Sequence, residues 1–112
     1  MESAGINLYS DTQTRPTEAM REAIAGAAVG DEQRGEDPSV NRLCDMVAER
    51  LGTEDAVFLP SGTMCNEIAM LVHCRPGDEI IADRTAHVIN FEGGGPAAFA
   101  GALVNPLDGV RG

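Results

Sequence analysis

Residues 56–59 (Ala-Val-Phe-Leu) form a short apolar run that stops at Pro60 and passes through Ser61, Gly62 and Thr63 into a segment of helical periodicity. An apolar run bounded by turn residues predicts a buried strand. In the segment that follows, Cys65, Ile68, Ala69 and Val72 fall on one helical face and are expected to point inward. A strand feeding a helix through a tight turn is the building unit of an α/β fold. The alternation continues downstream. Arg75-Pro76-Gly77-Asp78 places Pro and Gly where a type II turn needs them. Residues 79–82 then read as a second strand and Leu103-Val104 as a third, with Pro106 and Asp108-Gly109 as exit turns. Between these strands lie a loop through His87, a short helix and the glycines Gly93, Gly94 and Gly95. The fold class expected is α/β with a largely parallel sheet.

Upstream the punctuation is helical. Residues 6–15 are polar and extended in character and lead into Pro16-Thr17, a helix-opening pair. Met20, Ala23, Ile24, Ala27 and Ala28 then recur at helical spacing, and Gly30 is the expected terminator. A polar loop leads to Asp37-Pro38, an N-cap followed by Pro at the first helical position. Val40, Leu43, Val47 and Leu51 share one face of that helix, and Gly52 stands where a C-terminal glycine belongs. No internal repeat or low-complexity tract interrupts the pattern. The chain stops just after a turn signal with few strands in hand, so an incomplete sheet is expected, cut within a larger domain.

Charge narrows the partners. A formal net charge of −10 argues against nucleic acid, whose phosphates call for clustered cations, and against anionic membrane surfaces. No apolar run has the length of a membrane span, and no N-terminal stretch has the form of a signal peptide. The three cysteines, Cys44, Cys65 and Cys74, lack metal-site or redox spacing and read as buried, reduced thiols of a cytoplasmic protein. All 8 basic residues are Arg, so the chain contains no lysine amine.

Two places carry candidate chemistry. At Ser61-Gly62-Thr63 the first N–H groups of a helix lack intrahelical partners, and the helix dipole adds partial positive charge. Gly62 permits close approach and the two hydroxyls can donate, which together make a phosphate site; plain helix capping by Ser61 or Thr63 explains the same residues. His87 follows the second strand, at the sheet edge where α/β proteins bind ligands. It can stack on a flat cofactor or move a proton, or be a surface or capping histidine. His73, at a helix end, reads as a partner for the last carbonyls.

Longer blocks carry a family resemblance. Leu8-Tyr9-Ser10-Asp11-Thr12-Gln13-Thr14-Arg15-Pro16 resembles the L-R-S-D-T-x-T-x-P opening of threonine aldolases. Val29-Gly30-Asp31 with Gly35-Glu36-Asp37-Pro38-Ser39-Val40-Asn41 is similar to that family's V-G-D and G-E-D-P-[ST]-x-N segments. Phe58-Leu59-Pro60-Ser61-Gly62-Thr63-Met64-Cys65-Asn66 resembles F-x-P-S-G-T-M-x-N. Arg75-Pro76-Gly77-Asp78-Glu79 and the span from Ala86-His87 to Glu92 resemble R-x-G-D-E and H-x-x-x-x-E. The blocks are collinear from residue 7 to 106.

The resemblance implies the large domain of fold type I pyridoxal-phosphate enzymes, with residues 1–16 as an N-terminal arm and 17–112 as part of the cofactor-binding domain. It implies that Ser61, Gly62 and Thr63 hold the phosphate of pyridoxal 5'-phosphate. His87 would stack on the ring and act as a base near the substrate hydroxyl, Ser10 would help hold the substrate carboxylate, and Glu92 would play a supporting role. The reaction implied is cleavage of threonine or allo-threonine to glycine and an aldehyde, in a homo-oligomer, dimer or tetramer, with active sites shared between subunits. The family's cofactor-anchoring lysine lies downstream of residue 112, so the chain alone is expected to be inactive. Arg34 stands where the family often has Tyr, which points to contact with a substrate carboxylate and an altered preference. A β-eliminating lyase on the same fold and a non-catalytic phosphate-ligand module are the alternatives.

Overall fold

The computed structural model describes residues 6–110, so the first five residues of the expected arm lie outside the described residues. The chain divides into two compact units, Met1–Ala56 and Val57–Gly112.

Local capping organises the first unit. Ser10 opens a 3-10 turn at Asp11–Gln13. Helix α1 spans Glu18–Gly26, and the Thr17 hydroxyl accepts from the Met20 N–H at 3.3 Å. It ends before Gly30, the expected terminator, because the residues after it are tied to the start of the next helix. Ser39 Oγ donates to the Ala28 carbonyl at 3.0 Å, and the Gly30 N–H donates to Asp37 Oδ2 at 3.0 Å. Gly30 instead serves a close approach: a Cβ there would overlap the Glu36 carbonyl.

Helix α2, Pro38–Leu51, begins and ends as its sequence requires. Asp37 Oδ1 accepts from the N–H groups of Ser39 and Val40, both at 2.9 Å. Gly52 closes the helix in the left-handed region, φ 69°, where a side chain would be strained. The expected apolar face is less covered than its pattern suggests. Ala48 is its one buried residue, while Leu43 and Leu51 are exposed within this unit.

The second unit is organised by contacts between elements. Helix α3 runs Gly62–His73 and leads into a turn in which Asp78 N–H donates to the Arg75 carbonyl at 2.9 Å. Gly77 there has φ 96°, as a type II turn demands. Strand β1, Glu79–Asp83, is followed by a short helix α4, His87–Asn90. A single π-helical turn at Pro96–Ala100 precedes strand β2, Leu103–Leu107. The strands pair in parallel, from Glu79 opposite Leu103 to Asp83 opposite Leu107. Pro106 lies inside β2 rather than after it. Leu103 donates to Asp78 and Leu107 accepts from Arg84, so alternate residues of β2 face β1. Pro106 falls between them, and its missing N–H costs the ladder nothing.

Three expectations need correction. Residues 56–59 are not a strand, and Val57 is exposed, because no neighbouring strand pairs with them among the described residues. An extended segment without a ladder partner leaves its N–H and C=O groups to solvent. The buried side of α3 is Glu67, with Met70 and Cys74 half-buried, rather than Cys65, Ile68, Ala69 and Val72. The π-helical turn packs on α3 and selects that side. Finally, the cysteines are free but not buried: Cys44 and Cys74 are half-covered and Cys65 is exposed.

Candidate active site

The start of α3 is a capped helix with donors to spare. Ser61 Oγ accepts from the Met64 N–H at 3.1 Å, and the Ser61 carbonyl accepts from Cys65 N–H at 3.1 Å. The capping reading of Ser61 is therefore present in the structure. It leaves the Ser61 hydroxyl hydrogen free to donate, and the N–H groups of Gly62 and Thr63 precede the first intrahelical donor. A Cβ built on Gly62 meets nothing within 4 Å, so the space over this helix end is open. Three donors and a helix dipole facing open space fit a phosphate group.

One helical turn further along α3, a polar cluster joins that helix to α4. His87 opens α4, just beyond the carboxyl end of β1. Its Nδ1 lies 2.8 Å from Glu92 Oε1, and the same oxygen accepts from Asn66 Nδ2 at 2.7 Å. The Phe91 ring packs against the imidazole with centroids 5.2 Å apart. The His87 side chain is 61% exposed, whereas the Glu92 side chain is fully buried. Hydrogen bonds from His87 and Asn66 hold the Glu92 carboxyl below the ordinary glutamate range, against the opposing effect of burial. A carboxylate only accepts, so Nδ1 carries the imidazole proton and Nε2 is left as the open acceptor. A histidine presented in this way can take a proton from a bound hydroxyl.

Glu67, on the same helix, is buried beside Glu92, and neither of its oxygens has a hydrogen-bond donor. Burial, followed by the adjacent Glu92 carboxyl, pushes Glu67 above the ordinary glutamate range. Gly95 makes room for it: a Cβ at that position would overlap the Glu67 carboxyl.

The structure thus places Ser61, Gly62, Thr63 and His87 in one unit. Ser10 and Arg34 lie in the other. Ser10 caps its own turn, with Oγ 2.8 Å from Thr12 Oγ1. Arg34 is exposed and 3.7 Å from Asp31. Among the described residues no hydrogen bond or ion pair joins Ser10 to Arg34. The sequence reading missed the roles of Asn66 and Glu67. The signal available was a polar pair, Asn66-Glu67, standing inside an otherwise apolar helix.

The second unit thus holds an open helix start at α3, followed by two parallel strands and a carboxylate-held histidine just past the end of β1. The chain belongs to the beta-eliminating lyase family, whose model matches residues 7–112. It is 48% identical to the low specificity L-threonine aldolase of Escherichia coli (strain K12) over 103 residues, which cover 92% of this chain and 31% of that relative. It is 45% identical to the low-specificity L-threonine aldolase 1 of Arabidopsis thaliana over 97 residues, 86% of this chain and 27% of the relative. The low specificity L-threonine aldolase of Saccharomyces cerevisiae is 41% identical over 106 residues, 94% of this chain and 27% of the relative. The chain therefore spans less than a third of the length of these curated relatives.

Proposed function

We propose that these residues are the N-terminal part of a pyridoxal-phosphate-dependent aldehyde-lyase that cleaves threonine, allo-threonine or a related β-hydroxy-α-amino acid to glycine and an aldehyde. The observation that carries this reading is the carboxylate-held His87, set in the same unit as the open helix start at Ser61. The names of the relatives supply the reaction class.

In this reading the N–H groups of Gly62 and Thr63, with the hydroxyls of Ser61 and Thr63, bind the cofactor phosphate. Bound pyridoxal phosphate supplies an electron sink for breaking the Cα–Cβ bond. His87 stacks on the ring, and its Nε2 accepts the proton of the substrate β-hydroxyl, directly or through a water. Glu92 and Asn66 fix the imidazole so that Nε2 is the atom presented. Ser10 and Arg34 contribute to holding the substrate carboxylate, and Arg34 biases the substrate preference. The 112 residues contain no lysine, so catalysis needs an amine from outside them, and the chain alone does not turn over. The working form is a cytoplasmic homo-oligomer, a dimer or tetramer of the fold type I architecture.

Incubating the full-length protein and cofactor with L-threonine and L-allo-threonine tests the reading. Glycine and acetaldehyde are the products expected. Ammonia and a keto acid instead would assign β-elimination. His87→Asn is expected to lower kcat on the order of 10²-fold, and an unchanged kcat would remove His87 from the chemistry.

A further inference from the structure

The polar cluster contains one group that the proposed reaction does not use. Glu67 is 8% exposed, both of its oxygens lack a donor, and its carboxyl lies over Gly95. The polar group beside it is the Glu92 carboxyl. Glu92 commits Oε1 to His87 and Asn66, while Oε2 is buried without a partner. Among the described residues no Arg or His pairs with Glu67. Two ionised carboxylates with three unsatisfied oxygens between them make a costly arrangement. A single proton resolves it.

We propose that Glu67 is held as the neutral acid and donates its O–H to Glu92 Oε2, making it a positioning residue for His87. Glu92 then keeps its negative charge and stays anchored from both sides: Glu67 on Oε2, Asn66 and His87 on Oε1. Glu92 accepts from both sides, from the Glu67 O–H on Oε2 and from His87 Nδ1–H on Oε1, which locks the imidazole with Nε2 exposed. Glu92 carries the charge and Glu67 the proton for a physical reason. Glu92 receives two nitrogen donors that favour its ionised form, and Glu67 receives none. Gly95 is part of the device, because any side chain there would drive the Glu67 carboxyl away from Glu92. The purpose assigned to the pair rests on the lyase reading above; the shared proton does not.

The test is a carboxyl 13C titration by NMR of the full-length protein labelled at glutamate, with Glu67→Gln used to assign the Glu67 resonance. Glu67 is expected to titrate above the ordinary glutamate value of about 4.3, with Glu92 below it. A Glu67 midpoint at or below the ordinary value would overturn the proposal and leave the lyase reading untouched. Imidazole 15N shifts give a second readout. Glu67→Gln retains a donor toward Glu92 and is expected to keep the Nδ1–H form of His87. Glu67→Leu removes the donor and is expected to mix the two tautomers. If the lyase activity is present, kcat should survive in Glu67→Gln and fall about tenfold in Glu67→Leu, the lower end of what removing a partner behind a histidine costs at metal sites, with KM little changed. Identical tautomer populations in both variants would also sink the idea.

Discussion

Asp37 and Glu67 are buried to nearly the same degree, 9% and 8% exposed, yet their surroundings drive them in opposite directions. Asp37 receives N–H groups from Gly30, Ser39 and Val40, and with the bond from Val40 as the largest influence its carboxyl is held below the ordinary aspartate range. Glu67 receives no donor and is pushed up by burial and by Glu92. The first carboxylate is a structural clamp that closes the loop between α1 and α2. The second is a buried carboxyl that no N–H reaches, set beside Glu92, the partner of the candidate catalytic histidine. Burial alone therefore says little about a carboxyl; the donors around it decide whether it stays charged.

The two glycines next to these carboxyls sharpen the contrast most. Gly30→Ala sets a Cβ against a backbone carbonyl, which cannot swing away, and should destabilise the protein by about 1–3 kcal/mol in urea melts. Gly95→Ala sets a Cβ against the Glu67 side chain, so adding Glu67→Ala should restore much of the loss. If no second substitution near Glu67 rescues Gly95→Ala, the approach there is a backbone constraint and the comparison fails.

Next in size is the cap itself. Asp37→Ala strips acceptors from three N–H groups and should lower the melting midpoint by about 4–8 °C, as losses of N-caps do in domains of this size. A midpoint unchanged in Asp37→Ala would show that water replaces the clamp without cost.

The pH dependence separates the pair by sign. Asp37 has a lowered folded value, so its contribution is present above the ordinary aspartate value of about 3.9 and is lost as pH falls through the lowered one. Glu67 has a raised folded value, so its contribution is complete below about 4.3 and is lost as pH rises through the raised one. Urea midpoints measured across pH should therefore show a decline above the ordinary glutamate value that Glu67→Gln abolishes. A decline that persists in Glu67→Gln would belong to another group.

The smallest effect expected is at the surface. Arg84 Nε and Asp108 Oδ1 are 2.7 Å apart but 60% and 80% exposed. Arg84→Ala should cost about 0.2–1 kcal/mol, and less in high salt.

Much of the first unit was legible in the sequence. Asp37-Pro38 and Gly52 bracket α2 as read, and Thr17 opens α1. In the second unit, the turn at Gly77, strand β1 and the start of β2 were legible too. What failed was facing and pairing. Residues 56–59 have the composition of a buried strand but no ladder partner here, and the apolar pattern of α3 pointed to the wrong side. Pattern reports which residues share a face, whereas the neighbour that covers a face comes from the path of the chain.

The same division holds for the candidate site. The sequence by itself marked Ser61, Gly62, Thr63, His87 and, through the family resemblance, Glu92, because caps, helix starts and strand ends are set by residues within four positions of one another. Only the tertiary structure brought Asn66 to Glu92, 26 residues away, and set Glu67 against Gly95. Those meetings accompany the packing of α3 on the π-helical turn that leads into β2. Hydrogen bonds within one turn are encoded by adjacent residues, but whether a buried carboxyl finds a donor is settled by which distant segment the chain lays beside it.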